Sequence, residues 1–436
     1  MRKPILFLLC LSLMILSCRK GKESMEIPII PVDSLPNTPV DSVPVIDSIY
    51  EGNISVFSQA NIDSLPKLLE GKTIINGDVT VRNGTDINHF SSFKNITKIT
   101  ASLKIVDCPM LNSLEGFEQL EEVNHLQLER LPALEGDDLA VFSDLHIHES
   151  LGLINLTVRE IPEFKKVIDI TERLNVSNNR NLTNLSFLKN LRSVGSLFGL
   201  GGCAALESFE GLENLERVGH LSMSYLSGIE DDDFELLADI NISNSLSMRH
   251  LDRVEEIPVF KNLIHLDGGL ELGFLSRLKN VKFLENLISV DGELTIYRSD
   301  SIKNLEGLHN LESVNEFDVW LNKGLVNFGD IPFQLKNAHT IKVQFNPYLQ
   351  SIGQLDSLVQ IEDMLRIHDN SSLSSLIGFR NVCSQIRAVH IAKNGSLEEF
   401  CPLKNLLVCN RPDTLGVSIY QNKVDMSVNE IISNCN

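Results

Sequence analysis

The chain has 436 residues, of which 38 are lysine or arginine and 58 are aspartate or glutamate, giving a formal net charge of −20. A field of that sign repels phosphate backbones and anionic membrane surfaces, so the charge argues against a nucleic-acid partner. The sequence also lacks a Cys-x-x-Cys pair, a glycine-rich phosphate loop, a Gly-x-Ser-x-Gly elbow and a His-Glu-x-x-His motif. It therefore carries none of the short motifs typical of thiol redox sites, phosphate-binding loops, serine hydrolases and zinc proteases.

The chain begins with a segment typical of secreted bacterial proteins. Arg2 and Lys3 precede an apolar run over residues 5–16, which is too short to span a bilayer. The run ends in Ile-Leu-Ser-Cys at residues 15–18, a tetrapeptide that resembles the bacterial lipobox. The sequence therefore predicts a lipoprotein signal peptide over residues 1–17 and lipidation of Cys18. A chance apolar-Ser-Cys sequence is the alternative.

Residues 18–50 are predicted to form a linker. They are rich in proline, serine and charge, and they show no apolar periodicity that would build a core. Ser34, Ser42 and Ser48 each lie in an Asp-Ser-aliphatic tripeptide, which resembles the O-glycosylation acceptor of Bacteroides-type bacteria. Tripeptides this short also arise by chance, so glycosylation of the three serines is one of two interpretations.

From residue 79 onwards a short Leu-x-Ile-like motif recurs fifteen times. Most steps between successive motifs are 23 to 25 residues, and the exceptions are 19, 29 and 28. A period in this range predicts an all-β solenoid over residues 51–436, with about fifteen coils of ~24 residues joined by tight turns or short 3-10 segments. The inward residues that begin the motifs are predicted to be Val79, Leu103, Leu126, Leu145, Leu174, Leu197, Leu221, Leu246, Leu270, Leu294, Phe317, Ile341, Leu365, Val389 and Val417.

A longer repeat is superimposed on the coils. Residues 111–147 align with residues 206–242 at an offset of 95, which corresponds to four coils. His125, for example, recurs as His220. Duplication of a four-coil block explains this pattern, because a solenoid grows by adding units.

Two acidic turns recur with that block. Asp137 and Asp138 precede an apolar segment, and so do Asp232 and Asp233. Carboxylates at the start of a short helix are favoured by its exposed N–H groups, so these residues are predicted to cap helices. Calcium binding is the alternative interpretation.

Several segments resemble the bacterial leucine-rich proteins related to the receptor L domain of insulin-receptor-type ectodomains. They are Gly-Asp-Val-Thr-Val at residues 77–81 and coils such as Leu-Glu-Ser-Phe-Glu-Gly-Leu at residues 206–212. Residues 56–63 resemble the family's N-terminal cap, and residues 400–403 with 434–435 resemble its C-terminal cap, placed at about 396–436. The resemblance implies a right-handed leucine-rich β-solenoid with caps at both ends. It implies no catalytic residue and no cofactor.

Six cysteines follow Cys18. Cys108 and Cys203 are equivalent positions of the duplicated block, too far apart to bridge, and are predicted to be small buried residues.

The other four cysteines crowd the last coils. Cys383 and Cys409 fall in nearly one column on adjacent coils, so a disulfide between them is geometrically allowed. That leaves Cys401 for Cys435, a pairing that the resemblance to the family's C-terminal cap also supports, and pairing of Cys409 with Cys435 is the competing choice. Ser427 and Glu430 are predicted to form a capping box at the start of the last helix.

One stretch of the outward strand face is a candidate ligand-binding surface. It comprises Tyr297, Trp320, Lys342, Arg366 and His368. Aromatic rings with interleaved polar groups suit a sugar or a protein partner. Alternatively, the aromatic rings simply pack against one another across adjacent strands. No metal site is predicted, because His368 and His390 show no third ligand in the sequence pattern.

The favoured function is a non-enzymatic, lipid-anchored surface protein that binds a protein or glycan ligand. It would reside in the outer membrane or on the surface of a Gram-negative bacterium, with its membrane contact made through the lipid anchor. A β-helical polysaccharide-degrading enzyme is the second hypothesis, although the uniform coils lack the long insertions that such enzymes use for their clefts. A structural role in the envelope is the third.

Overall fold

The computed structural model describes residues 48–410 and 416–435. The predictions for the signal peptide, Cys18, Ser34 and Ser42 lie outside the described residues. Within the described ranges, no helix is both long and apolar enough to cross a membrane.

The described chain is mostly strands, joined in one long, open parallel sheet of twenty strands. This arrangement fits the predicted solenoid-like all-β fold. The strands are β1 Ile49–Glu51, β2 Ile54–Val56, β3 Ile74–Asn76, β4 Val79–Arg82, β5 Lys98–Val106, β6 Glu122–Glu129, β7 His146–Ile154, β8 Asp169–Ile170, β9 Arg173–Ser177, β10 Ser193–Gly201, β11 Arg217–Ser224, β12 Asn241–Arg249, β13 His265–Leu266, β14 Leu270–Gly273, β15 Ser289–Tyr297, β16 Ser313–Trp320, β17 Asn337–Gln344, β18 Gln360–His368, β19 Ala388–Ala392 and β20 Gly416–Tyr420.

Short helical segments occupy the turns between strands. The α-helices are α1 Gln59–Ser64, α2 Lys404–Cys409 and α3 Val428–Asn434. The 3-10 segments are Ser91–Phe93, Gly136–Phe142, Ser186–Leu188, Asp231–Leu237, Lys282–Leu284, Glu306–Leu308, Gly353–Leu355, Ile377–Phe379 and Cys401–Leu403. Many of them direct a phenylalanine into the core, where Phe93, Phe142 and Phe234 are fully buried. The sheet begins at β1, which pairs with β3, slightly before the predicted linker boundary at residue 50.

The strand register corrects two of the predicted inward residues. Leu126 pairs with Leu151 rather than Leu145, and Leu174 pairs with Phe198 rather than Leu197. Most long strands contain a register shift. In β7 the shift separates two apolar segments, and the sequence motif was assigned to the first of them instead of the second. In β10 three apolar residues stand close together, and the alternation buries Phe198 while Leu197 stays half-exposed.

With these two corrections the register becomes nearly uniform. Every step between inward residues from Val79 to Val389 is then 23 to 25 residues. The apparent steps of 19 and 29 were therefore errors of assignment and not insertions.

The backbone turns at a positive φ immediately after the strands. The residues concerned are Asn83, Asp107, Arg130, Asn155, Asn178, Gly202, Tyr225, His250, Phe274, Arg298, Leu321, Phe345, Asp369, Lys393 and Gln421. This conformation is costly for bulky residues such as Phe345. A sheet hydrogen bond offsets the cost, since Phe345 N–H donates to the carbonyl of His368 at 3.1 Å.

The next residue along the chain is buried except at Asn422, which is partly exposed, and in the C-terminal part of the sheet it is asparagine. Asn322, Asn346, Asn370 and Asn394 have at most 1% of their surface exposed. The side chain of Asn346 donates to the carbonyl of Val319 at 2.9 Å. The backbone N–H of Asn346 in turn donates to Oδ1 of Asn370 at 3.0 Å. These asparagines form a continuous buried ladder that ties each turn to its neighbours.

The acidic turns cap helices, as predicted. Glu135 and Asp138 form a capping box at the start of Gly136–Phe142. Glu230 and Asp233 form the equivalent box at Asp231–Leu237. The predicted box at Ser427 and Glu430 begins α3 and is likewise confirmed.

The cysteines divide into two groups. Cys108 and Cys203 are buried and free, as predicted. The structure pairs Cys383 with Cys409 and Cys401 with Cys435, with Cα separations of 5.4 and 5.2 Å. Both bridges lie in the last coils, where they tie α2 and α3 to the chain before β20.

Candidate functional site

The five predicted surface residues lie on four adjacent strands, β15 to β18. Tyr297, Trp320 and His368 belong to one outward column, in which Gln344 stands between the last two. Lys342 and Arg366 are paired neighbours in a second column, two residues earlier along each strand. We call this surface the β15–β18 face. Because parallel strands hold these residues in register, the sheet fixes their relative positions.

The two aromatic rings of the face pack against each other. Tyr297 and Trp320 are stacked, with ring centroids 4.8 Å apart and planes 5° apart. The Tyr297 hydroxyl donates to Oε1 of Glu271 at 2.8 Å, and its ring lies over Gly273. Burial, followed by the bond to Glu271, raises the pKa of the Tyr297 phenol. The rings therefore form a preorganised platform, in accord with the alternative that they pack across strands.

The second column carries two cationic residues followed by a histidine. Lys342 is paired with Arg366, which is paired with His390. Lys342 forms an ion pair with Glu316. The Nε atom of Arg366 is buried and has no hydrogen-bond partner. An unpartnered buried guanidinium nitrogen is costly, so a side-chain rotation that exposes Nε to a carboxylate or sulfate would gain a charge-assisted bond.

Neighbouring side chains hold the ring of His368 in place. The two ring nitrogens of His368 lie 2.7 Å from Oδ2 of Asp369 and 2.6 Å from Oε1 of Gln344. Its ring also meets Phe345 edge-to-face, with centroids 4.8 Å apart. Burial, and then the nearby charge of Arg366, lowers the pKa of His390. His368 is thus a fixed part of the surface and has little freedom to reorient towards a ligand.

An acidic cluster adjoins the rings, and sequence reasoning missed it. Carboxylate oxygens of Glu293, Glu316 and Asp318 lie within 4.8 Å of one another. Asp318 is only 9% exposed. Burial raises the pKa of Asp318 to about 6, helped by the two glutamates and opposed by Gln344 and Lys342. The sequence spacing could have revealed this cluster, because Glu316 follows Glu293 at the interval of one coil.

A groove of about 830 Å³ runs beside the acidic cluster and the rings. It is bordered by Asp318, Trp320 and Phe274, among others. Phe274 belongs to a second aromatic column at the positive-φ positions, where Tyr225 stacks on His250 at 4.2 Å and His250 stacks on Phe274 at 4.4 Å. Strand periodicity could not reveal this column, because its residues follow the strands.

Ser48 is the one predicted glycosylation site among the described residues. It lies immediately before β1 and is half-buried. Its carbonyl accepts hydrogen bonds from the N–H groups of Thr73 and Ile74 at 2.8 and 3.0 Å. Ser48 therefore belongs to the start of the sheet.

Comparison with known proteins gives no identification. No protein-family model matches the sequence, and neither a curated protein nor a solved structure matches it.

Proposed function

We propose that the protein is a lipid-anchored, non-enzymatic surface protein that binds an anionic ligand, glycan or protein, on the β15–β18 face. The finer fold belongs to the same proposal: a right-handed leucine-rich solenoid of about fifteen coils, capped at both ends and resembling the receptor L domain. The uniform strand register supports that coil count. So does the single positive-φ residue that directly follows the strand of each coil.

The observation that carries the binding proposal is the buried, unpartnered Nε of Arg366. It lies between Lys342 and His390 on a chain with a net charge of −20. Lys342 and Arg366 make a local cationic surface that attracts an anion at this place, whereas the acidic remainder of the protein repels it. The neighbouring Trp320 supplies apolar area for a sugar ring or an apolar side chain.

Screening of purified protein on an array of neutral, carboxylated and sulfated glycans tests the proposal. We expect retention of acidic glycans, with at least tenfold weaker binding by Arg366→Gln. Trp320→Ala should weaken binding by about 2 kcal/mol, the scale of an aromatic hot spot.

Lys104→Gln is the matched control, because Lys104 is a cationic residue in the equivalent outward column of β5. Equal binding by wild type, Arg366→Gln and Trp320→Ala would rule out the β15–β18 face as the binding surface.

A polysaccharide-degrading enzyme is a second candidate, favoured by the carboxylates of Asp318, Glu316 and Glu293. A carboxyl with a raised pKa beside a second carboxylate is the arrangement that glycosidases use for acid and base roles. Release of reducing sugar from acidic polysaccharides, abolished by Asp318→Asn, would support this candidate. Absence of turnover with retained binding would favour the binding protein.

The anchoring part of the proposal rests on the lipobox-like sequence that ends at Cys18. Several acyl chains on one residue give stable membrane attachment. Metabolic labelling with a clickable palmitate should mark the wild type and not Cys18→Ala. Equal labelling of both proteins would contradict lipidation at this residue.

A further inference from the structure

Three metal-ligating side chains meet at a distance from the β15–β18 face. His125 lies in β6, Glu149 in β7, and Glu172 immediately before β9. One ligand atom of each side chain lies within 4.8 Å of the other two. Nε2 of His125 and Oε2 of Glu149 are 3.0 Å apart. Three successive coils therefore direct one imidazole and two carboxylates to a single point.

Neighbouring polar groups orient the carboxylates. Asn124 donates from Nδ2 to Oε1 of Glu149 at 2.8 Å, which leaves Oε2 facing His125. Ser150 donates from Oγ to Oε2 of Glu172 at 3.4 Å. Such outer partners hold metal ligands in position and tune their affinity.

The cluster opens onto a surface depression. The depression has a volume of about 630 Å³ and is bordered by His125, Ser150 and Glu172, with Lys104 and Arg173 nearby. An ion held by the three side chains would keep one coordination position facing this space, free for water or an anionic group. Three protein ligands with an open position is a common zinc arrangement.

We propose that His125, Glu149 and Glu172 bind a divalent transition-metal ion, with zinc as the best fit. Zinc bonds to nitrogen and oxygen are about 2.0 to 2.2 Å long, so small side-chain rotations bring the three ligand atoms around one ion. The imidazole favours zinc over calcium and magnesium, which prefer oxygen ligands. Two carboxylates balance the charge of the ion.

The duplicated block provides an internal comparison. In register, the three positions there hold His220, Asn244 and Gly268. The histidine is kept, but an amide and a glycine replace the two carboxylates. His220 is thus a matched control that the chain itself contains, with a similar strand position and without the acidic ligands.

Equilibrium dialysis of purified, tag-free protein against zinc, followed by elemental analysis, tests the proposal. We expect about one equivalent of zinc in the wild type and in His220→Ala. His125→Ala and Glu149→Gln should abolish that binding, and Asn124→Ala should weaken it about 10- to 100-fold through lost orientation of Glu149. A parallel dialysis against calcium should give no retained ion at this site.

Thermal unfolding with and without zinc provides a second measurement that also reports folding of each variant. Zinc should raise the melting temperature of the wild type and of His220→Ala, and should leave that of His125→Ala unchanged. The proposal is overturned if the wild type retains no zinc, or if His125→Ala and Glu149→Gln retain as much as the wild type. Loss of zinc in His220→Ala equal to that in His125→Ala would also overturn it.

Discussion

The buried column that follows the positive-φ residues differs between two regions of the sheet. In the N-terminal region it is mostly apolar and includes Cys108, Leu131, Leu156, Cys203, Leu226, Leu251 and Leu275. In the C-terminal region it is the asparagine ladder of Asn322, Asn346, Asn370 and Asn394. The turn is thus stabilised mainly by apolar packing in the N-terminal region and by directional hydrogen bonds in the C-terminal region. Asn179 is an exception in the N-terminal region, since it accepts from the Leu156 N–H and donates to the Leu153 carbonyl, both at 2.8 Å.

The outward face changes with the buried column. At the position of Asp318, the strands from β6 to β12 carry neutral residues such as Gln127, Asn175 and Ser222, between Lys104 in β5 and Glu271 in β14. The C-terminal strands carry Asp318 and then Lys342 at this position. Directional bonds specify backbone position more narrowly than apolar packing does. We infer that the ladder provides a stiffer support beneath the charged, candidate ligand-binding surface.

The largest expected effect concerns the end of the C-terminal region, where the cysteines are bridged. Replacing Cys383 and Cys409 by serine removes a cross-link across 26 residues. Loop entropy then predicts a loss of about 3 kcal/mol in the free energy of unfolding of the last coils. Hydrogen exchange followed by mass spectrometry should show faster exchange in β19 and β20.

Cys108→Ala is the control for that experiment, because Cys108 is buried, free and far along the sheet from β20. Its effect should stay local to β5 and β6. Unchanged exchange in β19 and β20 after loss of the bridge would mean that the disulfide does not hold the end coils.

A somewhat smaller effect is expected within the ladder. Asn346→Leu removes the acceptor of the Asn322 N–H and the donor to the Val319 carbonyl, at 3.0 and 2.9 Å. Leaving these buried groups without partners should lower the free energy of unfolding by roughly 2 to 3 kcal/mol. Chemical denaturation monitored by circular dichroism measures the change.

The matched substitution in the N-terminal region is Cys203→Asn. Burial raises the pKa of the Cys203 thiol to about 11, so the thiol stays protonated at neutral pH. It faces the carbonyl of Val176 at 3.8 Å, the place where a ladder asparagine would donate. Asparagine has a similar volume, so we expect a change within about 1 kcal/mol. A loss as large as that of Asn346→Leu would mean that the two regions do not share one turn geometry.

Sequence periodicity predicted the sheet and its inward residues because burial imposes an alternation that every coil repeats. It failed at Leu145 and Leu197, where two or three apolar residues compete and only pairing with the neighbouring strand decides. The ladder was visible as recurring asparagine five residues after an inward position, as at Asn346 and Asn370. It was missed because polar residues after strands usually indicate exposed turns.

The candidate sites were less predictable than the fold. A Cβ at Gly273 would overlap the ring of Tyr297, and hydrophobic periodicity carries no information about such a steric requirement. His125, Glu149 and Glu172 follow one another at the coil spacing, but Glu149 lies within a register shift and Glu172 lies between the short strands β8 and β9. Convergence of side chains depends on such local shifts, and a single sequence does not specify them.

A third test of the two regions uses pH, since Ser222 occupies the outward column of Asp318 in the N-terminal region without an ionisable group. The pKa of Asp318 is raised from 3.8 to about 6, so the folded state binds a proton more tightly than the unfolded state. The contribution of Asp318 to the free energy of unfolding therefore falls as pH rises from about 4 to 6. It stays at its lowest value above pH 6. Asp318→Asn should be more stable than wild type by about 2 kcal/mol at pH 7 and nearly equal at pH 4.

Thermal or urea unfolding across this pH range measures the difference between the two proteins. Ser222→Ala, at the equivalent outward column of the N-terminal region, should show a difference from wild type that does not vary with pH. A difference between Asp318→Asn and wild type that is constant with pH would contradict the raised pKa.

The smallest expected effect compares Gly273, which borders the Tyr297 and Trp320 pair, with Gly199 in the N-terminal region. A Cβ at Gly273 would overlap the ring of Tyr297, whereas a Cβ at Gly199 would meet Oδ1 of Asn175 at an ordinary 3.5 Å. Gly273→Ala should therefore displace Tyr297 from Trp320 and cost about 1 kcal/mol, the scale of one aromatic pair. Gly199→Ala should change the free energy of unfolding by less than about 0.5 kcal/mol.

Fluorescence provides a direct measurement of the ring displacement, because Trp320 is the single tryptophan of the chain. Displacement of Tyr297 exposes one face of the indole, so the emission of Gly273→Ala should shift to longer wavelength. The emission of Gly199→Ala should match the wild type. If both variants fluoresce like the wild type, the stacking of Tyr297 on Trp320 does not depend on the space above Gly273. The β15–β18 face would then accommodate a changed side chain more easily than the rigid asparagine ladder beneath it implies.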